Sequence, residues 1–182
     1  MKFNKIFLVI AFFGAMCVNS SCKKTVYNQI TEDEIKWIIY LEGEKIIFAD
    51  SANADTFHVI RRERGYEKDK PYYNEHASAV FYNYSDTVPG NKYGNLRVQK
   101  DDNNNFKASY IFPHFPFEVV LTDMIPVPQM IINGLPYTNV YVAEADSLYY
   151  STANYLRKIY YSKEAGFLQL DDIYGGVRYK IN

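Results

Sequence analysis

The chain has 182 residues, with 20 Lys plus Arg against 21 Asp plus Glu, and a formal net charge of −1 at pH 7. Charges this closely balanced supply no basic field to recruit nucleic acid and no acidic tail. There are 18 Tyr and 12 Phe but two cysteines, Cys17 and Cys22, too few and too close to the N-terminus for a disulfide framework.

The chain opens with Lys2 and Lys5. Residues 6–18 follow without charge and nearly all apolar, and then Asn19, Ser20 and Ser21. A positive flank, an apolar stretch and small residues are the order of a secretory signal peptide. The apolar stretch falls short of the ~20 residues of a spanning helix. No other long apolar run occurs, so no transmembrane helix is expected in the mature chain.

Two cleavage sites are open. An ordinary signal peptidase would read Val18 and Ser20 and cut after Ser20. Alternatively, Val18, Ser20, Ser21 and Cys22 resemble the lipobox of bacterial lipoproteins, with Asn19 where that motif prefers an aliphatic residue. The resemblance implies cleavage before Cys22 and acylation of its sulfur by a diacylglycerol, often with an amide-linked chain. Cys17 would leave with the leader, and acylation would account for the lone thiol that remains. Each buried CH₂ of acyl chain adds ~0.8 kcal/mol of membrane affinity. Lys23 and Lys24 are neither the Asp that retains some lipoproteins in the inner membrane nor the acidic run that sends others to the cell surface. The overall plan resembles small outer-membrane lipoproteins of Gram-negative bacteria, which implies an outer-membrane anchor with the body facing the periplasm. Residues 1–21 are thus read as signal peptide, 22–30 as lipidated Cys22 and tether, and 31–182 as one β-rich domain.

Next along the chain, Thr31 precedes Glu34 at capping-box spacing, with acidic residues crowding the first turn, which predicts a short helix over 32–36. Ten short runs follow, rich in aromatic and β-branched residues and separated by Gly, Pro, Asn or Asp. They are WIIYLEGEKIIFAD, DTFHVIRRER, SAVFYNYSD, NLRVQK, NFKASYIF, FEVVLTD, TNVYVAEAD, YLRKIYYSK, GFLQL and GVRYKI. The mixed-charge stretch at 61–70 reads as the solvated end of a strand and its turn. Asn133–Gly134 is the strongest hairpin signal. Pro113, Pro116, Pro126 and Pro128 belong at edges, bulges or crossings. The expected fold class is all-β: a single antiparallel, strongly curved sheet, or a β-sandwich or half-barrel, of about ten strands with a short N-terminal helix.

Catalytic signatures are missing from the sequence. It has no glycine-rich phosphate loop, no G-x-S-x-G elbow and no H-E-x-x-H. His58, His76 and His114 are widely spaced, without a second ligand at metal spacing. Asp101, Asn103 and Asn105 alternate as in an EF-hand loop, but Phe106 stands in place of Gly and Phe112 in place of the bidentate Glu, so a polar hairpin loop is expected. The pairs Tyr72–Tyr73, Tyr149–Tyr150 and Tyr160–Tyr161 would put one ring on each face of a strand. Neither a catalytic residue nor a cofactor or metal site is expected; the one site residue is Cys22, for lipidation.

Three functions fit these residues. The first is a non-enzymatic, lipid-anchored envelope protein, whose partners are membrane lipid through acylated Cys22 and other envelope proteins, not nucleic acid. The second is a carrier of an apolar ligand in a lipocalin-like half-barrel. The third is a periplasmic hydrolase built from scattered His and Asp residues.

Overall fold

A computed structural model describes residues 24–52, 54–69, 71–83, 93–153 and 155–181. The signal peptide expected at 1–21 and the expected lipidation residue Cys22 lie outside the described residues.

The described residues form one curled, half-barrel sheet of twelve strands, all pairings antiparallel but one. The strands are β1 (Val26–Asn28), β2 (Lys45–Ala49), β3 (Ala54–Asp69), β4 (Tyr72–Asn83), β5 (Tyr93–Lys100), β6 (Phe106–Ile111), β7 (Val119–Val120), β8 (Val127–Ile132), β9 (Leu135–Glu144), β10 (Leu156–Ser162), β11 (Gly166–Asp172) and β12 (Val177–Ile181). They lie in the order β7-β6-β5-β4-β3-β2-β12-β11-β10-β9-β8. Neighbours are mostly consecutive, as hairpins require. The exception is the seam, where β12 pairs with β2 through Tyr179↔Ala49 and Ile181↔Ile47.

The ten sequence runs locate β2 to β7 and β9 to β12. The strands beyond them are β1 and β8. β1 lies in the stretch read as tether; it pairs in parallel with the start of β4 and receives a register of Val26↔Tyr72 to Asn28↔Asn74. Ile30 is also buried, its N–H donating to Glu75 Oε2 at 2.8 Å. Residues 26–30 are therefore packed onto the sheet. The mixed-charge stretch is the end of a strand, as its pattern predicts: β3 runs through it to Asp69, paired with β4 along its length.

A single helical turn, α1 (Glu32–Ile35), follows β1. The Thr31 hydroxyl accepts from the Glu34 N–H, and Glu34 Oε2 accepts from the Thr31 N–H. The other carboxylate oxygen of Glu34 takes the buried Lys100 ammonium at 2.7 Å, which pins α1 to the end of β5.

The curl brings β4 to β6 opposite β10 and β11, and rings fill the space between them. Phe167 on β11 lies 4.7 Å from Phe112, 5.1 Å from Tyr110, 5.2 Å from Tyr161 and 5.7 Å from Phe81, centroid to centroid. Such tilted and edge-on pairs are favourable beyond the area they bury. Ala77, Ala79 and Ala108, buried among them, leave the rings room. The segment between α1 and β2 closes one flank: the Tyr40 hydroxyl accepts from the Phe167 N–H at 2.6 Å, and the Tyr161 hydroxyl donates to the Trp37 carbonyl at 2.5 Å. Gly166 has φ +73°, and a Cβ there would collide with the Tyr40 hydroxyl, so only glycine fits.

Candidate functional site

The residues that could carry chemistry are dispersed. His58 is on β3, His76 on β4 and His114 in the loop after β6. In the β3–β4 register His58 faces Tyr82 and His76 faces Gly65, seven residues along β3, or roughly 23 Å. Among the described residues no group of three or more His, Cys, Asp or Glu is placed to hold a metal ion. The Asp101 carboxylate accepts from the N–H groups of Asn103 and Asn105 and from the Asn105 side chain, so it serves to shape its own hairpin loop.

One polar cluster was not legible in the sequence, because its members are far apart in the chain. Arg178 on β12 is buried between Asp55 on β3, with which it pairs directly, and Asp172 at the end of β11, at 3.3 Å. Its guanidinium sits 5.7 Å from the Tyr155 ring centre. Burial lowers its pKa, and the charge of Asp50 opposes that shift. Asp172 also accepts from the N–H groups of Tyr174 and Gly176, each at 2.8 Å. These groups line an open groove of about 470 Å³. The carboxylates and the guanidinium satisfy one another, so the cluster reads as a clasp holding β12 to its neighbours.

A second open groove, of about 540 Å³, runs over Ile35, Ile38 and Ile39 between Arg62 and Lys163. Arg62 pairs with Ala79 of the core and Ile38 is itself buried there, so this groove opens at the rim of the sheet's inner face, beside an interior filled with rings. The tyrosine pairs divide as follows. Tyr161 is buried in the interior while Tyr160 is half-buried on the other face, its hydroxyl donating to Asp171 Oδ2 at 2.9 Å. Tyr149–Tyr150 lies in and after a 3-10 turn (Ser147–Tyr149), not in a strand.

The most distinctive surface is the β8–β9 hairpin. Asn133 and Gly134 have φ +49° and +77°, the type I′ geometry that the dipeptide predicts. From residue 124 to residue 143 there is no charged side chain. Met130, Ile132 and Tyr137 turn inward onto a small outer cluster with Val140 and Leu168. The opposite face points to solvent: Ile131 is 73% exposed, and Ile125, just before β8, is 93% exposed. β10 pairs with β9 only from Val140 onward, so the tip stands clear of the sheet.

The backbone of β8 is free on its outer side among the described residues. In a two-residue hairpin the residues flanking the turn, here Ile132 and Leu135, form a hydrogen-bonded pair, and the bonding side then alternates. Ile132 and Met130 therefore face β9, with Pro128 in the same phase. Val127, Gln129 and Ile131 present their N–H and C=O groups outward, and the missing N–H of Pro128 does not interrupt that row. The sequence carried a signal for this surface in its long charge-free run, though Pro126 and Pro128 mask the strand.

No helix among the described residues is long and apolar enough to cross a membrane. Comparison with known proteins found no match among protein-family models, curated proteins or solved structures.

Proposed function

We propose that this chain is a lipid-anchored cell-envelope protein, held through acylated Cys22 in the outer membrane with its body in the periplasm, that acts without catalysis by joining other protein through the β8–β9 hairpin. The observation that carries the reading is the hairpin's charge-free run from 124 to 143, with Ile125 and Ile131 in solvent beside an open strand edge. Open, uncharged edges invite pairing, and natural proteins block them unless they are used. The ring-filled interior weighs against the carrier of an apolar ligand, and the dispersed histidines weigh against the hydrolase.

Native electrophoresis of detergent-solubilised envelopes tests the hairpin. The wild-type protein should run in a species heavier than its own mass, and Ile131→Asp should release it. Equal migration of the two would remove the assembly reading. Intact-mass measurement of membrane-fraction protein, wild type against Cys22→Ser, tests the anchor: a lipid-sized increment should vanish in the variant.

A further inference from the structure

Among the described residues the main strand path ends on two edges, β7 and β8, and they are built differently. β7 is two residues long, is bounded by Glu118 and Asp123, and ends in a 3-10 turn (Leu121–Asp123). Short length and flanking charge are the usual protections of an edge. β8 is six residues long, has no charge, and offers its outward backbone groups in an unbroken phase at Val127, Gln129 and Ile131.

We propose that two copies of this chain pair antiparallel through their β8 edges, with Gln129 facing its own counterpart on a two-fold axis. The proposal rests on the hairpin's being an interaction surface and names its occupant. Residues 127, 129 and 131 are in the outward hydrogen-bonding phase. A register centred on Gln129 sets like phase against like: Gln129 opposite Gln129, and Val127 opposite Ile131 of the other copy. Each such pair can exchange both of its backbone bonds. On the exposed face the apolar side chains of Val127 and Ile131 become cross-strand neighbours, the arrangement that stabilises a sheet.

Charge identifies the occupant as a second copy. A two-fold axis places residues near it against themselves, so any charge there meets its like at close range, which destabilises directly opposed pairs. An edge adapted to a different chain has no such restriction and gains register from opposite charges. β8 and the hairpin around it are neutral throughout. The protected β7 edge completes the argument. Pairing β8 with β8 consumes the uncharged open edge of each copy among the described residues, so the assembly closes as a dimer instead of growing into a fibre.

The test uses the full chain in growing cells, with the photo-crosslinker p-benzoylphenylalanine at position 129 and, as a control, at position 138 on β9. Irradiation should give an adduct of twice the chain mass from position 129 and little from 138. In detergent, Gln129→Cys should oxidise to a disulfide dimer, because hydrogen-bonded antiparallel neighbours stand about 5.5 Å apart, within disulfide range. Gln129→Lys, which places two ammonium groups face to face at an exposed position, should return the sedimenting mass to one chain while keeping the far-ultraviolet circular dichroism of the folded wild type. An adduct at 129 with a different envelope protein overturns the dimer and leaves the proposed function standing. No adduct at 129, together with a monomeric wild type, overturns both.

Discussion

The ring-filled interior and the β8–β9 hairpin are made of similar residues and behave oppositely. In the interior, Phe167 is surrounded by rings and its backbone N–H is bound to the Tyr40 hydroxyl. On the hairpin, Ile125 and Ile131 have apolar surface with nothing described against it. Burial explains the first set: it drives the sheet to curl. The second set does nothing for the monomer, so its presence needs a reason outside the monomer, which pairing supplies.

Substitutions can break or sharpen this contrast. The largest effect is expected at the centre of the rings: Phe167→Ala should destabilise by about 3–5 kcal/mol, read from the midpoint of urea unfolding. Next is the response to alkali. Burial holds the hydroxyls of Tyr40, Tyr110 and Tyr161 above the ordinary tyrosine range near 10. Above pH 10 the unfolded chain therefore releases protons that the folded chain keeps. These residues' contribution is intact below pH 10 and is lost as pH rises, by about 1.4 kcal/mol per pH unit for each tyrosine. Unfolding followed from pH 9 to 11 should show the loss, with a shallower slope in Tyr110→Phe.

A smaller effect separates two buried hydroxyls. Tyr161 donates to the Trp37 carbonyl, whereas the Tyr110 hydroxyl is buried without a hydrogen-bond partner among the described residues. Tyr161→Phe should cost about 1–2 kcal/mol, and Tyr110→Phe should be neutral or stabilise by about 1 kcal/mol. Equal losses in calorimetry would show that the Tyr110 hydroxyl is satisfied after all. The smallest effect is expected on the hairpin: Ile125→Ser should stay within about 0.5 kcal/mol. The same replacement at buried Ile46 should cost at least about 2 kcal/mol.

Much of the sheet was legible because its strands are short aromatic and β-branched runs with turn residues between them. Asn133–Gly134 fixed one hairpin in type and place. The two strands beyond those runs were hidden for different reasons. β1 is three residues in a stretch that looks like linker, and only its partner on β4 makes it a strand. β8 carries Pro128, which argues against a strand until the register puts its missing N–H on the β9 side. The Arg178 clasp was hidden by distance, since Asp55 lies 123 residues earlier. The surface that now carries the functional proposal thus sits on a strand that local pattern disguises. Its lack of charge was in plain view, but that property gains meaning only once the strand is known to be an edge.

The seam between β2 and β12 has a consequence for how the molecule is made. Every other neighbouring pair along the main path can form while the chain is still arriving, because each strand meets the one before it. β2 must wait for β12, the last strand in chain order, and until then Lys45–Ala49 has one open side carrying Ile46 and Phe48 beneath it. Non-local closure of this kind is slow, and an open apolar strand during that interval is prone to wrong pairing. A chain that emerges N-terminus first passes through a stage in which the wrong edge is available. Shielding β2 until the C-terminal strands arrive is then the task of whatever accompanies the chain while it folds.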